Sequence, residues 1–241
     1  MRNLRLDICY DGTRYRGWQR LKEDDSSLQY KLETTLNRIL EEPITVSASG
    51  RTDAGVHALH QIVNFHCESG MDEGEILAKL RRHLPGDIGI YSCESVSPRF
   101  HARLNAKTKT YCYRVWNSSL PCVFQRRYVF VDPEKLNVDA MRLAAKGLVG
   151  THDFRCFCDS RSKAKSTVRT IYSIEIMDAG EEVQFLITGN GFLHHMVRIL
   201  VGTLLEIGHG QRKPEDIFGQ KRADMGVLAP ANGLCLMEVT Y

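Results

Sequence analysis

Gly50-Arg51-Thr52-Asp53-Ala54-Gly55 sets an arginine, a hydroxyl and a carboxylate side by side between two glycines. Glycine reaches backbone conformations that strain other residues, and it lets another chain come close. Ser49 to Ala58 therefore reads as a tight loop presenting polar side chains, followed by an apolar, strand-like run from Gln61 to Cys67. A carboxylate on a loop mounted on a strand can act as a nucleophile or take a proton. The same stretch also fits a plain connecting turn whose Asp53 bonds its own backbone.

A second residue with a chemical demand is Arg198. It interrupts the run Phe192 to Glu206, which is apolar almost all round and reads as a buried helix. His194, Arg198, Gly202 and Glu206 are spaced by four and would share one stripe. A buried guanidinium needs a carboxylate or phosphate beside it. Glu206, two turns on, is too far. Asp53 is chemically suitable, and so is any other of the 29 acidic residues.

A third signal is electrostatic. Ser95 to Val131 contains no Asp or Glu but carries Arg99, Arg103, Lys107, Lys109, Arg114, Arg126 and Arg127, with a strand-like Thr110-Tyr111-Cys112-Tyr113-Arg114-Val115-Trp116 inside it. One-signed runs point to a polyanionic partner; the plain alternative is a solvated basic face. Near the N-terminus Tyr15 and Trp18 alternate with Arg14, Arg16 and Arg20. That pattern suits base stacking and phosphate contact, or equally a half-buried loop with solvated arginines. His152, Asp153, Cys156 and Cys158 could in principle hold a metal, but no second ligand pair has fitting spacing.

The elements that must position these groups follow from periodicity. Leu4 to Tyr10 is a strand, Ser27 to Glu42 an amphipathic helix stopped by Pro43, Ile44 to Ser47 and Ile62 to Cys67 strands, the region of Ile76 to Leu84 a helix stopped by Pro85-Gly86, and Ile88 to Cys93 a strand. From the Tyr111 strand the order repeats. A helix starts at Asp132-Pro133 and runs to Gly147, a polar, cationic loop covers Gly150 to Lys165, and strands span Val168 to Met177 and Val183 to Thr188. A helix from Phe192 to Ile207 with Gly208 as its cap and a strand from Leu234 complete the half. The fold class is α+β: two ferredoxin-like βαββαβ halves, residues 1–105 and 106–241, forming a mainly antiparallel sheet with helices on one face.

Composition is that of a globular protein: 241 residues, 43% hydrophobic, 25% charged, net charge +3. The eight cysteines include no CxxC pair and read as buried thiols of a reducing compartment. Met1 to Tyr10 has no signal-peptide core, and Met196 to Leu205, the longest apolar stretch, is broken by Arg198 and too short to span a bilayer. A cytoplasmic protein without membrane contact is expected.

With these residues in view, the chain resembles the tRNA pseudouridine synthase family, TruA type. Tyr10 to Gln19 looks like the family's opening motif and Ser49 to Ala58 like its catalytic loop, the most specific match. Phe100-His101-Ala102-Arg103, Lys109 to Tyr113, Gly150 to Phe154, Phe192 to Gly202 and Ala229 to Leu234 also fit. Arg20 to Asp25 departs from the glutamine-containing continuation common in the family, which puts substrate range in doubt there. The resemblance implies Asp53 as the essential carboxylate and Tyr111 as the residue that stacks on uracil and helps remove its C5 proton. It implies that Arg198 pairs with Asp53 and aims it, and that Arg51 fills the gap left by the flipped nucleotide. It implies a tRNA partner, a homodimer and a target on the 3′ side of the anticodon stem-loop. The implied reaction needs no redox step or external energy source, so neither cofactor nor metal is expected. Asp53 is expected within salt-bridge reach of Arg198, with the Tyr111 ring close to both. A non-catalytic RNA-binding module using the same basic cleft is the alternative, and a metal-dependent nucleic-acid enzyme the weaker third.

Overall fold

A computed structural model describes residues 1–20, 25–159 and 165–241. The chain divides into two compact units, Met1–Lys107 with Leu236–Tyr241, and Thr108–Cys235. The divergent segment after Gln19 lies largely outside the described residues.

In the first unit β1 (Arg2–Tyr10) alternates as its sequence requires: Leu4, Leu6, Ile8 and Tyr10 are buried, while Arg5, Asp7 and Cys9 are half-buried. Helix α1 (Leu28–Leu40) starts where the Ser27 side chain accepts the Tyr30 N–H, and it buries Leu28, Leu32, Leu36, Ile39 and Leu40. Short β2 (Ser47–Ala48) leads to β3 (His57–Cys67), which begins earlier than apolarity suggests, directly after the Asp53 loop. Helix α2 (Glu73–His83) is capped by Asp72, opens with Glu73 and Glu75, and closes with Arg81, Arg82 and His83, the charge order its dipole favours. It buries Ile76 and Leu80, each contributing about 2 kcal/mol by area removed from water. Strand β4 (Ile88–Val96) completes the set. β1 lies between β4 and β3, β2 flanks β3, and all pairings are antiparallel, as a βαββαβ unit demands.

The second unit carries β5 (Thr108–Trp116), β6 (Phe130–Val131), α3 (Val138–Lys146), β7 (Gly150–Asp153), β8 (Val168–Asp178), β9 (Glu182–Gly189) and α4 (Met196–Gly208). The order β5-β9-β8-β7 is antiparallel, with β6 parallel to β5. α3 packs on α4 and β8.

Three expectations need correction. Asp132-Pro133 is not a helix start: α3 is capped by Asn137, whose side chain accepts the Ala140 N–H, and the Asp132 carboxylate faces His209 at 2.9 Å. The stretch read as a polar loop from Gly150 holds an edge strand, β7, and a 3-10 turn that buries Cys156 and Phe157. α4 begins at Met196, not Phe192, because His195 takes a left-handed conformation.

The last strand, β10 (Leu234–Thr240), belongs from Leu236 onward to the first unit and pairs with β3. Lys107 N–H donates to the Thr240 carbonyl at 2.9 Å, and the Tyr241 hydroxyl to the Ala102 carbonyl at 2.7 Å. Element order assigned this tail to the second half; its pairing puts residues 236–241 with the first. Among the described residues no helix is long and apolar enough to cross a membrane.

Candidate functional site

The loop that carries Asp53 is tied down on both sides of that residue. Ser49 is fully buried; its N–H donates to the Ile62 carbonyl at 2.7 Å and its hydroxyl to Gln61, whose amide holds the Gly50 carbonyl at 2.8 Å. The Thr52 hydroxyl shares a buried hydrogen bond of 2.8 Å with the Tyr10 hydroxyl, and its carbonyl accepts the Trp18 N–H at 3.0 Å. Beyond Asp53, Gly55 N–H donates to the Tyr15 carbonyl at 3.3 Å, and the Gly12 N–H donates to His57 Nδ1 at 3.0 Å. Asp53 itself is half-buried and Arg51 is exposed.

Residues 10–19 are thus the cradle of the loop, and two glycines allow it to lie this close. A Cβ on Gly12 would stand 2.0 Å from the Val56 carbonyl oxygen. One on Gly17, whose φ of 93° already disfavours a side chain, would stand 2.7 Å from the Thr52 oxygen. The base-stacking reading of this stretch is corrected by burial. Tyr15 is 6% and Trp18 2% exposed. The Tyr15 hydroxyl donates to Asp87 at 2.7 Å; burial, with that bond, pushes its phenol well up. Arg14 pairs with Asp87 at 2.6 Å and Arg20 with Glu33 at 3.2 Å. Tyr10, Thr52 and His57 were not singled out by sequence. Their signal was the pair of glycines in the preceding segment, which have no role in a stacking surface and a clear one in a close backbone crossing.

In the second unit Tyr111 sits in β5 opposite Ile187 of β9 and is buried. Phe192 meets its ring edge-on, centroids 5.2 Å apart at 90°. Arg198 occupies the first turn of α4 rather than its middle. A cation there faces the positive end of the helix dipole, which sharpens its need for an anion. Its Nε donates to the Ala229 carbonyl at 2.7 Å, and the Ala229 N–H returns a bond to the Arg198 carbonyl at 3.2 Å. Its charge also acts on Tyr113, two residues along β5: burial raises that phenol and Arg198 partly offsets the rise. The expected stripe breaks at its first member, since His194 precedes the helix, and Glu206 is engaged by Arg212 at 3.0 Å.

Of the basic run, Arg99, Arg103, Lys107, Arg126 and Arg127 are exposed. Arg114 is turned inward and clamped by Glu182 at 2.6 Å. Burial pushes the Glu182 carboxyl up, but the hydrogen bonds from Arg114 and Gln184 and the Arg114 charge together outweigh it, and the net shift is downward. The four residues weighed as metal ligands do not converge. Asp153 accepts from the Thr167 hydroxyl and Arg155 N–H, and His152 Nε2 faces the Val149 carbonyl at 3.0 Å.

A family model described as tRNA pseudouridine synthase matches residues 8–104 and 144–241. A Bacillus cereus (strain ZK / E33L) protein named tRNA pseudouridine synthase A 2 is 44% identical, and a Clostridium tetani protein named tRNA pseudouridine synthase A 1 is 45% identical, each over the full length of both chains. A chain in the crystal structure of a Cbf5-Nop10-Gar1 complex shows a weak likeness: TM-score 0.42, 12% identity, 97% of this chain and 48% of that one.

Proposed function

The chain belongs to the tRNA pseudouridine synthase family, and from that premise we propose that Asp53 is the carboxylate on which its chemistry turns. The family isomerises uridine to pseudouridine in tRNA, and this chain is an enzyme of that kind. The bond from ribose C1′ to uracil N1 breaks, the base turns, C1′ joins C5, the C5 proton leaves and N1 gains one. Atoms balance without an oxidant or a second substrate.

Asp53 either attacks the nucleotide covalently or takes a ribose proton. Tyr111 stacks on the loose uracil, and its hydroxyl helps take the C5 proton. Arg198 pairs with Asp53 and aims it. Arg51 occupies the space the extruded nucleotide leaves, and flipping costs a few kcal/mol that basic contacts to the backbone offset. The observation that carries this reading is the cradle around Asp53. Hydrogen bonds of backbone and side-chain groups fix Ser49, Gly50, Thr52, Gly55, Val56 and His57, and a loop that only connects strands has no need of such fixing. The fixed Tyr111 ring and the exposure of Arg51 agree with their roles.

The same reading makes the target uridines those on the 3′ side of the anticodon stem-loop, the working form a homodimer, the first half the carrier of the carboxylate, and the location cytoplasmic. The test is release of tritium from tRNA labelled at uracil C5. Wild type should release it, with or without chelator, and Asp53→Ala should bind tRNA but release none. Binding without release by wild type, or equal release by Asp53→Ala, would overturn the proposal. Mapping pseudouridine in treated tRNA reads the target, and sedimentation reads the oligomer.

A further inference from the structure

Among the described residues only Glu41 and His195 combine a side chain with positive φ. Glu41 is the left-handed cap of α1, a common way to end a helix. His195 is different: it begins one. The Met196 N–H donates to the Leu193 carbonyl at 3.1 Å, closing a four-residue turn whose third residue, His195, has φ 64° and ψ 0°. Those are the angles of the third position of a type II turn, where glycine is the unstrained choice. Local geometry alone therefore asks for glycine, and the chain has histidine.

The imidazole accounts for the exception. His195 Nδ1 lies 3.3 Å from an Asp159 carboxylate oxygen, both side chains 17% exposed. The His194 ring stacks on His195 at 3.7 Å, and the Asp159 N–H reaches the His194 carbonyl at 3.4 Å. The turn is thus tied by side chain and backbone to Asp159. On its upstream side stands Phe192, edge-on to Tyr111; on its downstream side the His195 carbonyl accepts the Ile199 N–H and opens the helical turn that carries Arg198. Leu193 and Met196 are buried and anchor both ends. One turn therefore sets both the ring that backs Tyr111 and the register of Arg198.

We infer that His195 and Asp159 are positioning residues of the isomerisation: their pairing holds the turn in its left-handed form and so fixes Tyr111 and Arg198 relative to each other. The inference rests on the roles proposed above for those two residues. Reacting groups displaced by about an ångström lose on the order of 100-fold in rate.

The experiment measures tritium release, KM for tRNA and thermal midpoint on the full chain. Asp159→Ala should lower kcat by about 10- to 100-fold with KM within about 2-fold, since the interaction lost serves the transition state and not RNA binding. His195→Gly relaxes the backbone but removes the pair; it should keep the thermal midpoint and still lose kcat. His195→Asn tolerates the left-handed backbone and keeps a donor toward Asp159; it should regain most of kcat. A rise in KM at unchanged kcat would make the pair an RNA contact and overturn the inference. So would full kcat in Asp159→Ala and His195→Gly, or a loss that His195→Asn does not relieve. If wild type releases no tritium, the functional reading falls and this inference with it; if wild type is active and the variants match it, this inference falls alone.

Discussion

In the first unit Asp53 sits on a loop flanked by Gly50 and Gly55 and backed by Gly12 and Gly17, and most of the bonds that fix it use a backbone group on at least one side. In the second unit Arg198 follows a turn fixed by side chains, with a histidine where glycine would be unstrained. The first device works by removing side chains so that two segments can touch. The second works by adding one so that a turn cannot relax. They should fail differently. A glycine cradle is intolerant of any added carbon, whereas a side-chain latch should tolerate a chemical mimic.

The largest test of this contrast is Gly12→Ala. Its Cβ would meet the Val56 carbonyl at 2.0 Å, backbone that cannot step aside cheaply. Tritium release should fall by about 100-fold or more, because the Asp53 loop must move. Unchanged release would mean that the cradle is not what holds the carboxylate. Next is Gly202→Ala, one turn beyond Arg198, where a Cβ would lie 1.8 Å from the Val227 oxygen. Here the injury falls on packing, and overpacking of this kind costs about 3 kcal/mol, read as a lower urea midpoint for the whole chain. Tyr10→Phe is milder: it removes the partner of the Thr52 hydroxyl in a buried site and should cost about 1 kcal/mol, with turnover lowered about 5-fold. A Tyr10→Phe enzyme as impaired as Gly12→Ala would shift the weight from close backbone contact to this one hydroxyl.

The smallest effect concerns the thiols each half encloses. Burial pushes Cys93 up to about 12 and Cys112 up to about 11, from 9.0. A raised thiol favours its neutral form in the folded state, so its stabilisation is complete below pH 9.0 and is lost as pH rises through about 11 for Cys112. The urea midpoint should decline over that window, and less so in Cys112→Ala. At pH 8 a thiol reagent should react first with half-buried Cys9 and Cys235 and leave Cys93 and Cys112 unmodified.

Much of this was legible in residue order. The strand of Tyr111, the helices that bury Leu32, Leu36, Ile76 and Leu80, and the loop of Asp53 all follow from periodicity and glycine placement. What escaped had a physical reason each time. Phe192 and Leu193 continue the apolar pattern of α4, and nothing in a sequence marks His195 as left-handed. Asp132 has the chemistry of a cap, but His209, distant in sequence, claims it. Tyr15 and Trp18 look like a stacking surface because arginines surround them; Asp87, Glu33 and the Asp53 loop turn them inward. β7 is short, polar and at a sheet edge, where alternation carries little signal.

The strand β10 has a consequence for how the chain is made. The sheet of the first unit includes residues 236–240, bonded to β3 and tied at Lys107, so Met1–Lys107 cannot complete its sheet while the ribosome is still adding the second unit. The contacts that close it span most of the sequence, the kind that form slowly because a long loop must be ordered first. Removing residues 236–241 would strip a strand from the unit that bears Asp53 while leaving Tyr111 and Arg198 in a unit that has already been synthesised. The carboxylate loop therefore reaches its finished surroundings only after residues 236–240 have been synthesised.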